Sequence, residues 1–134
     1  LLEKRLAVWW GVCCLREGLK VPLPPPQSEA VNAAAQWVAD PDESHRRAAE
    51  AKAAAAGYSG PGGTHALAAF WSNGSLAPEG SPEVEPDERL TARGVSAALL
   101  TAAYQDDPVE APKQMEAFLE RGQEAADGQL KLPE

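Results

Sequence analysis

The fold depends on one segment near the middle of the chain, Thr64-His65-Ala66-Leu67-Ala68-Ala69-Phe70-Trp71-Ser72-Asn73-Gly74-Ser75-Leu76-Ala77-Pro78. It begins at Thr64, a residue type that commonly caps helices, and it concentrates the large side chains of Phe70 and Trp71. It ends at Asn73-Gly74, a pair that favours the left-handed turn with which many helices stop. The segment therefore predicts a short helix that supplies the densest packing volume near the middle of a chain otherwise rich in alanine.

Length and composition predict one domain with a thin core. The chain has 134 residues, of which 44% are hydrophobic and only 6% aromatic. Because alanine buries little area, the few Trp, Phe and Leu side chains must supply the core, or a partner must share it. The chain begins at Leu1 and not at Met. We therefore expect a segment of a longer protein, or a missing leader.

The net charge of −8 argues against non-specific nucleic-acid binding and against an anionic membrane surface. The apolar run from Leu6 to Leu15 is too short to span a bilayer, and no small-residue cleavage site follows it. We expect a buried helix and no membrane insertion.

The two cysteines are adjacent, Cys13 and Cys14. A disulfide between neighbouring residues is strained, so we expect two reduced, buried thiols in a cytoplasmic protein. No second cysteine cluster completes a metal site, and no cofactor is predicted.

The patterns predict an all-α fold, a single bundle of five to six short helices. Their expected ranges are 1–17, 28–39, 40–56, 64–72, 92–103 and 113–126. Expected caps are Ser28, Thr91 and the capping box Asp40-Pro41-Asp42-Glu43, and expected left-handed stops are Gly18, Gly57 and Gly128.

Two Pro-rich connectors divide this single domain, residues 1–134. Residues 1–26 form a helix and a polyproline connector, which spaces two helices or, less favoured, binds an SH3-type domain. Residues 27–128 form the helical core, crossed at 78–88 by an acidic, Pro-rich connector, and residues 129–134 form a loose tail.

The first helix carries Trp9 and Trp10 among apolar residues that cover most of its circumference. Adjacent residues lie about 100° apart on a helix, so the two indoles do not easily face one thin core. The helix is either the centre of the bundle, which we favour, or a docking element.

No enzyme signature is present. His45 and His65 lie on different helices, and Ser72 and Ser75 lack the strand and Gly-x-Ser-x-Gly turn of a nucleophilic serine. We expect Arg46 and Arg47 to pair within the chain, with the acidic connector residues Glu83, Glu85 and Asp87, in preference to an acidic partner.

Four stretches carry a resemblance: 35–41 (Ala-Gln-Trp-Val-Ala-Asp-Pro), 46–49 (Arg-Arg-Ala-Ala), 68–78 (Ala-Ala-Phe-Trp-Ser-Asn-Gly-Ser-Leu-Ala-Pro) and 90–95 (Leu-Thr-Ala-Arg-Gly-Val). Together they resemble an uncharacterised family of small all-helical bacterial proteins, associated with type VI secretion and similar gene neighbourhoods. The resemblance covers roughly residues 30–104. It implies a fold and a bacterial setting, and it transfers no catalytic residue.

We expect a non-enzymatic protein–protein interaction module: an adaptor, chaperone-like protein or assembly subunit of a bacterial multiprotein system. Interfaces favour aromatic anchors beside rigid turns. The expected partner-binding residues are Phe70, Trp71, Asn73, Gly74, Ser75 and Leu76, with Trp9 and Trp10 as a second surface. The sequence also allows the protein to form a homo-oligomer. Two alternatives are an accessory domain of a larger protein, and a small hydrolase or transferase with a site near His65, Ser72 and Ser75.

Overall fold

Six α-helices make up the secondary structure of residues 2–133, the part of the chain that the computed structural model describes. They are α1 (Lys4–Glu17), α2 (Gln27–Ala39), α3 (Glu43–Ala55), α4 (Gly60–Phe70), α5 (Leu90–Asp106) and α6 (Ala111–Ala126). Residues 2–133 contain no strand. The all-α bundle expected from the sequence is confirmed.

Helices α1 and α4 lie at the centre of the bundle. Helix α4, which includes residues 64–70, packs against α1, α2, α3 and α5, and α1 packs against α2, α4, α5 and α6. The buried residues of α1 include Val8, Val12 and Leu15. The position of α1 agrees with its interpretation as a central helix.

Small residues let these helices approach closely. A Cβ built on Gly94 of α5 would lie 2.9 Å from the Cβ of Ala68 on α4. Ala49 and Ala53 of α3 are completely buried and α3 packs against α2 and α4. The alanine-rich composition therefore produces close helix pairs in place of bulky side-chain layers.

Helix α4 begins four residues earlier than the sequence predicts. Its N-cap is Ser59, and Thr64 lies inside the helix. The side chain of Gln27 replaces the missing cap, because its Oε1 accepts hydrogen bonds from the N–H groups of Gly62 and Gly63 at 2.7 and 3.0 Å. The prediction of a Thr64 cap was wrong, since the capping group comes from a distant helix.

The predicted capping box at residues 40–43 was also wrong in its register. Asp40 follows α2 as its C-cap, and Asp42 is the N-cap of α3, with Oδ1 accepting from the N–H of His45 at 2.8 Å. Glu43 is thus the first residue of α3, so its carboxylate does not complete a capping box and can accept hydrogen bonds from other side chains.

Three smaller expectations also differ from the structure. Gly18 has a φ of −99° and is not left-handed. Ser28 lies inside α2. Thr91 lies inside α5, where its buried hydroxyl donates to the carbonyl of Ala68 at 3.0 Å.

The C-terminal tail is attached to the bundle as far as Leu132. The indole Nε1 of Trp9 donates to the carbonyl of Lys131 at 2.9 Å, and Leu132 packs against the core. The expectation of a loose tail was therefore wrong for residues 129–132, and residue 134 lies outside the described residues.

Candidate functional site

The site is organised by Arg46, an arginine of α3 that is only 3% exposed. Its Nη1 donates to the carbonyl of Phe70 at 2.8 Å, and its Nη2 donates to the carbonyl of Ser75 at 3.0 Å. These two acceptors lie on either side of the Asn73-Gly74 turn. One guanidinium therefore fixes both ends of residues 71–75, which we call the Asn73 loop.

The charge of Arg46 is balanced within its own helix. Glu43 accepts from Nε at 2.7 Å and from Nη2 at 2.9 Å, and it also accepts from Nε of Arg47 at 3.0 Å. These bonds lower the pKa of Glu43 to about 2. Both guanidinium groups also lie over the ring of Phe70, with Cζ at 4.6 Å from the centroid for Arg46 and 5.4 Å for Arg47.

This arrangement corrects the expected partner of the two arginines. Arg46 and Arg47 do pair within the chain, but with Glu43 and not with Glu83, Glu85 or Asp87 of the acidic connector. The reason is geometric: an i,i+3 and an i,i+4 carboxylate lie on the same face of the helix.

Further hydrogen bonds fix the Asn73 loop from its other sides. The buried hydroxyl of Ser72 donates to the carbonyl of Ala69 at 2.6 Å, and Nζ of Lys4 donates to the carbonyl of Ser72 at 2.9 Å. The hydroxyl oxygen of Ser75 accepts from the N–H groups of Ala77 and Val84 at 3.1 and 2.9 Å. The acidic connector is thereby attached to the end of the loop.

Gly74 has a φ of +81°, the left-handed conformation that the Asn-Gly pair predicts. A Cβ built on it would lie 2.8 Å from Cζ of Arg46. Glycine is therefore required here for two reasons, the backbone conformation and the close approach of the guanidinium.

Two polar clefts border the Asn73 loop. The Arg46 cleft has a volume of about 550 Å³, and its lining residues are Glu3, Lys4, Arg5, Trp37, Pro41, Asp42, Glu43, Arg46, Ser72, Asn73 and Gly74. The acidic cleft has a volume of about 380 Å³, and its lining residues are Lys4, Ser72, Asn73, Gly74, Ser75, Glu83, Glu85, Pro86 and Glu88. Lys4 and the loop form a wall that both clefts share.

The residues predicted to bind a partner occupy different depths. Phe70 is buried, and Trp71 is half-buried, with its ring close to Gly94 of α5. Ser75 and Leu76 are half-buried, whereas Asn73 and Gly74 are exposed. The structure thus brings these six residues together, but it leaves Asn73 and Gly74 as the most accessible of them, and Phe70 supports the loop from inside.

Trp9 and Trp10 lie elsewhere, both half-buried on α1. Nε1 of Trp10 donates to the carbonyl of Phe118 on α6 at 2.8 Å. Trp10 and the exposed Leu119 also line an apolar groove of about 350 Å³ between α1, α5 and α6. The two indoles therefore attach the tail and α6 to the centre of the bundle.

The residues of the hydrolase alternative do not converge. His65 is completely buried, its Nε2 lies 2.8 Å from the carbonyl oxygen of Val8, and its Nδ1 has no partner within residues 2–133. Burial lowers the pKa of His65 to about 4, so the ring is neutral at neutral pH. No hydrogen bond in the described chain joins His65 to Ser72 or Ser75, and neither hydroxyl forms a hydrogen bond with a carboxylate there.

One group of side chains has the composition of a metal-ligand set. Donor atoms of Asp40, Asp42 and His45 lie within 4.8 Å of one another at the junction of α2 and α3. All three are partly or fully exposed, and Asp42 Oδ1 already accepts from the ring Nδ1 of His45 at 2.8 Å. These bonds give the group a capping role at the start of α3.

Both cysteines are buried free thiols, as expected for adjacent residues. Burial raises the pKa of Cys14 to about 12, which keeps its thiol protonated and unreactive.

Comparison with known proteins identifies the family but gives no activity. A model of a family of unknown function, DUF6931, matches residues 1–126. The chain belongs to this family. The match confirms the expectation of an uncharacterised family and also covers α1 and α6, which lie outside residues 30–104.

No curated protein matches the chain, and no solved structure matches it. None of the helices described for residues 2–133 is both long and apolar enough to cross a membrane.

Sequence reasoning missed the residues that position the site. Arg46 occurs in a polar run, Glu43-Ser44-His45-Arg46-Arg47, that is typical of a solvated helix face. Its burial depends on the carbonyls of Phe70 and Ser75, and nothing in the local pattern reveals so distant a pair. Lys4 and Gln27 were missed for the same reason.

Proposed function

We propose that this protein is a non-enzymatic protein–protein interaction module, and that the Asn73 loop with its two flanking clefts receives a polar segment of the partner. The observation that carries this proposal is the fixation, by a buried arginine, of a loop whose residues Asn73 and Gly74 are exposed. An exposed loop fixed before binding loses little conformational entropy when a partner docks.

The chemistry of the clefts supports a polar partner segment. The residues Glu83, Glu85 and Glu88 line the acidic cleft, and Lys4 lines both the acidic cleft and the Arg46 cleft. Asn73 offers a side-chain amide that can both donate and accept hydrogen bonds. Such a surface suits hydrogen bonding to an extended backbone or to polar and basic side chains.

The cellular setting belongs to the same proposal. A bacterial origin and an adaptor, chaperone-like or assembly role near a secretion system are supported by the sequence resemblance alone. A cytoplasmic location is supported by the two free thiols, Cys13 and Cys14. An acidic surface of net charge −8 suits a protein partner better than nucleic acid.

The test is a comparison of two matched substitutions in a pull-down from native cells. Asn73→Arg adds bulk and charge to an exposed loop residue without removing core contacts. Asn32→Arg makes the same exchange at an exposed residue of α2. Circular dichroism and unfolding curves first establish that both variants fold.

We expect the wild-type protein and Asn32→Arg to retain the same partner, and Asn73→Arg to lose it. Retention by all three proteins would place the interface away from the loop. If no protein is retained by the wild type, the interaction module itself is contradicted.

A further inference from the structure

We propose that Asn73 is a site of spontaneous covalent modification, at which its side-chain amide is converted to a carboxylate through a cyclic imide formed with Gly74. The product is aspartate or isoaspartate at position 73. This inference goes beyond the proposed function and does not depend on it.

The geometry of the Asn73 loop exposes both reacting groups. Asn73 and Gly74 are exposed and lie outside the helices. Within residues 2–133, neither the Asn73 side chain nor the N–H of Gly74 takes part in a hydrogen bond. Gly74 has no Cβ to block the approach of its own nitrogen to the neighbouring side chain.

The reaction needs only water. The backbone nitrogen of Gly74 loses its proton to solvent and attacks Cγ of Asn73, and the bond from Cγ to the side-chain nitrogen breaks. That nitrogen leaves as ammonia after taking a proton from water. Water then opens the five-membered imide at either carbonyl, which yields aspartate or, when the main-chain carbonyl is attacked, isoaspartate.

The product changes the wall between the two clefts. A carboxylate at position 73 adds a negative charge beside Lys4, whose Nζ already donates to the carbonyl of Ser72. Isoaspartate also lengthens the main chain between the carbonyls of Phe70 and Ser75, which Arg46 fixes at 2.8 and 3.0 Å.

The chain contains two internal controls. Asn32, the other asparagine, lies in α2, is followed by Ala33, and accepts from Arg16 at 3.0 Å. Asp127-Gly128 could form the same imide, but the N–H of Gly128 donates to the carbonyl of Ala125 at 3.2 Å. Both sites should react more slowly than Asn73.

The experiment is a time course of the folded wild-type protein in mildly alkaline buffer, read by peptide mapping with mass spectrometry and by isoaspartate detection on separated peptides. We expect Asn73 to convert at least about tenfold faster than Asn32, which corresponds to a barrier lower by about 1.4 kcal/mol. A urea-unfolded sample measures the intrinsic reactivity of the Asn-Gly pair.

Conversion of Asn73 in the folded protein supports the proposal, at a rate below that of the unfolded sample because the hydrogen bonds of Arg46 restrict the loop. Conversion that occurs only in the unfolded sample would overturn it, because the folded loop would then protect the site. Equal rates at Asn73 and Asn32 in the folded protein would also overturn it. Replacement of the following glycine, Gly74→Ala, should slow the reaction in the urea-unfolded sample, where its effect on folding is irrelevant.

Discussion

Replacement of Arg46 by methionine should destabilise the protein far more than the same replacement of Arg47. In Arg46→Met the buried carbonyl of Phe70 loses its donor, and so does the half-buried carbonyl of Ser75, apart from a weak contact with Arg47 at 3.4 Å. A buried acceptor left unpaired costs about 1–3 kcal/mol.

Two further terms set the size of the effect. The contact of the guanidinium with the Phe70 ring adds about 0.5–1 kcal/mol. The side chain of Glu43 is 56% exposed, so the loss of its ion pair adds only about 0–1 kcal/mol. With the partly compensated Ser75 carbonyl included, we expect a total decrease of about 2–5 kcal/mol in the free energy of unfolding, a large part of the stability of a small domain.

The assay is equilibrium unfolding in urea followed by circular dichroism. Arg47→Met is the matched control, since the Arg47 side chain is 18% exposed and its guanidinium makes no hydrogen bond to the Phe70 carbonyl. We expect a decrease of about 1 kcal/mol or less in the free energy of unfolding. If the two variants differ by less than about 1 kcal/mol, Arg46 does not support the Asn73 loop in the way the structure indicates.

Three further predictions concern backbone, packing and pH. Gly74→Ala should lower the free energy of unfolding more than Gly80→Ala. Both glycines have a positive φ, +81° and +83°, which costs alanine about 1–2 kcal/mol of strain, but only the Cβ at position 74 meets Arg46. Equal losses for the two variants in urea unfolding would contradict this. Gly11→Ala should lower the melting temperature sharply, because its Cβ would overlap the ring of His65 and overpacking costs about 1–3 kcal/mol; an unchanged melting temperature would refute the contact. The pKa of His65 is about 4 in the folded chain and about 6.5 in the unfolded chain, so the unfolded state binds a proton first as the pH falls. The contribution of the neutral ring to the free energy of unfolding is therefore complete above pH 6.5 and is lost as the pH falls to 4. His65→Gln should remove this pH dependence from unfolding curves measured across the same range.

The existence and order of the helices could be predicted because they depend on local patterns. Asn73-Gly74, Gly57 and Gly128 mark helix ends correctly, since left-handed glycine is a local conformational requirement. Close helix contacts at small residues could also be predicted from the sequence, as the contact of Gly94 with Ala68 shows.

The interactions that position the site were not accessible because they join distant parts of the chain. Gln27 caps α4 from α2, so the start of α4 could not be read from Thr64. The burial of Arg46 depends on carbonyl groups 24 and 29 residues away. Sequence reasoning found the loop, but the side chain that fixes it came only from the structure.

The central claim is that the Asn73 loop is exposed yet rigid, and backbone NMR relaxation measured at two glycines tests it most directly. Gly74 lies within the contacts of Arg46, whereas a Cβ built on Gly80 meets nothing within 4 Å. We expect an order parameter of about 0.85 for Gly74, as in a rigid helix, and a clearly lower value for Gly80. A value below about 0.6 for Gly74 in the wild-type protein would contradict the account, because the loop would then be mobile despite its hydrogen bonds.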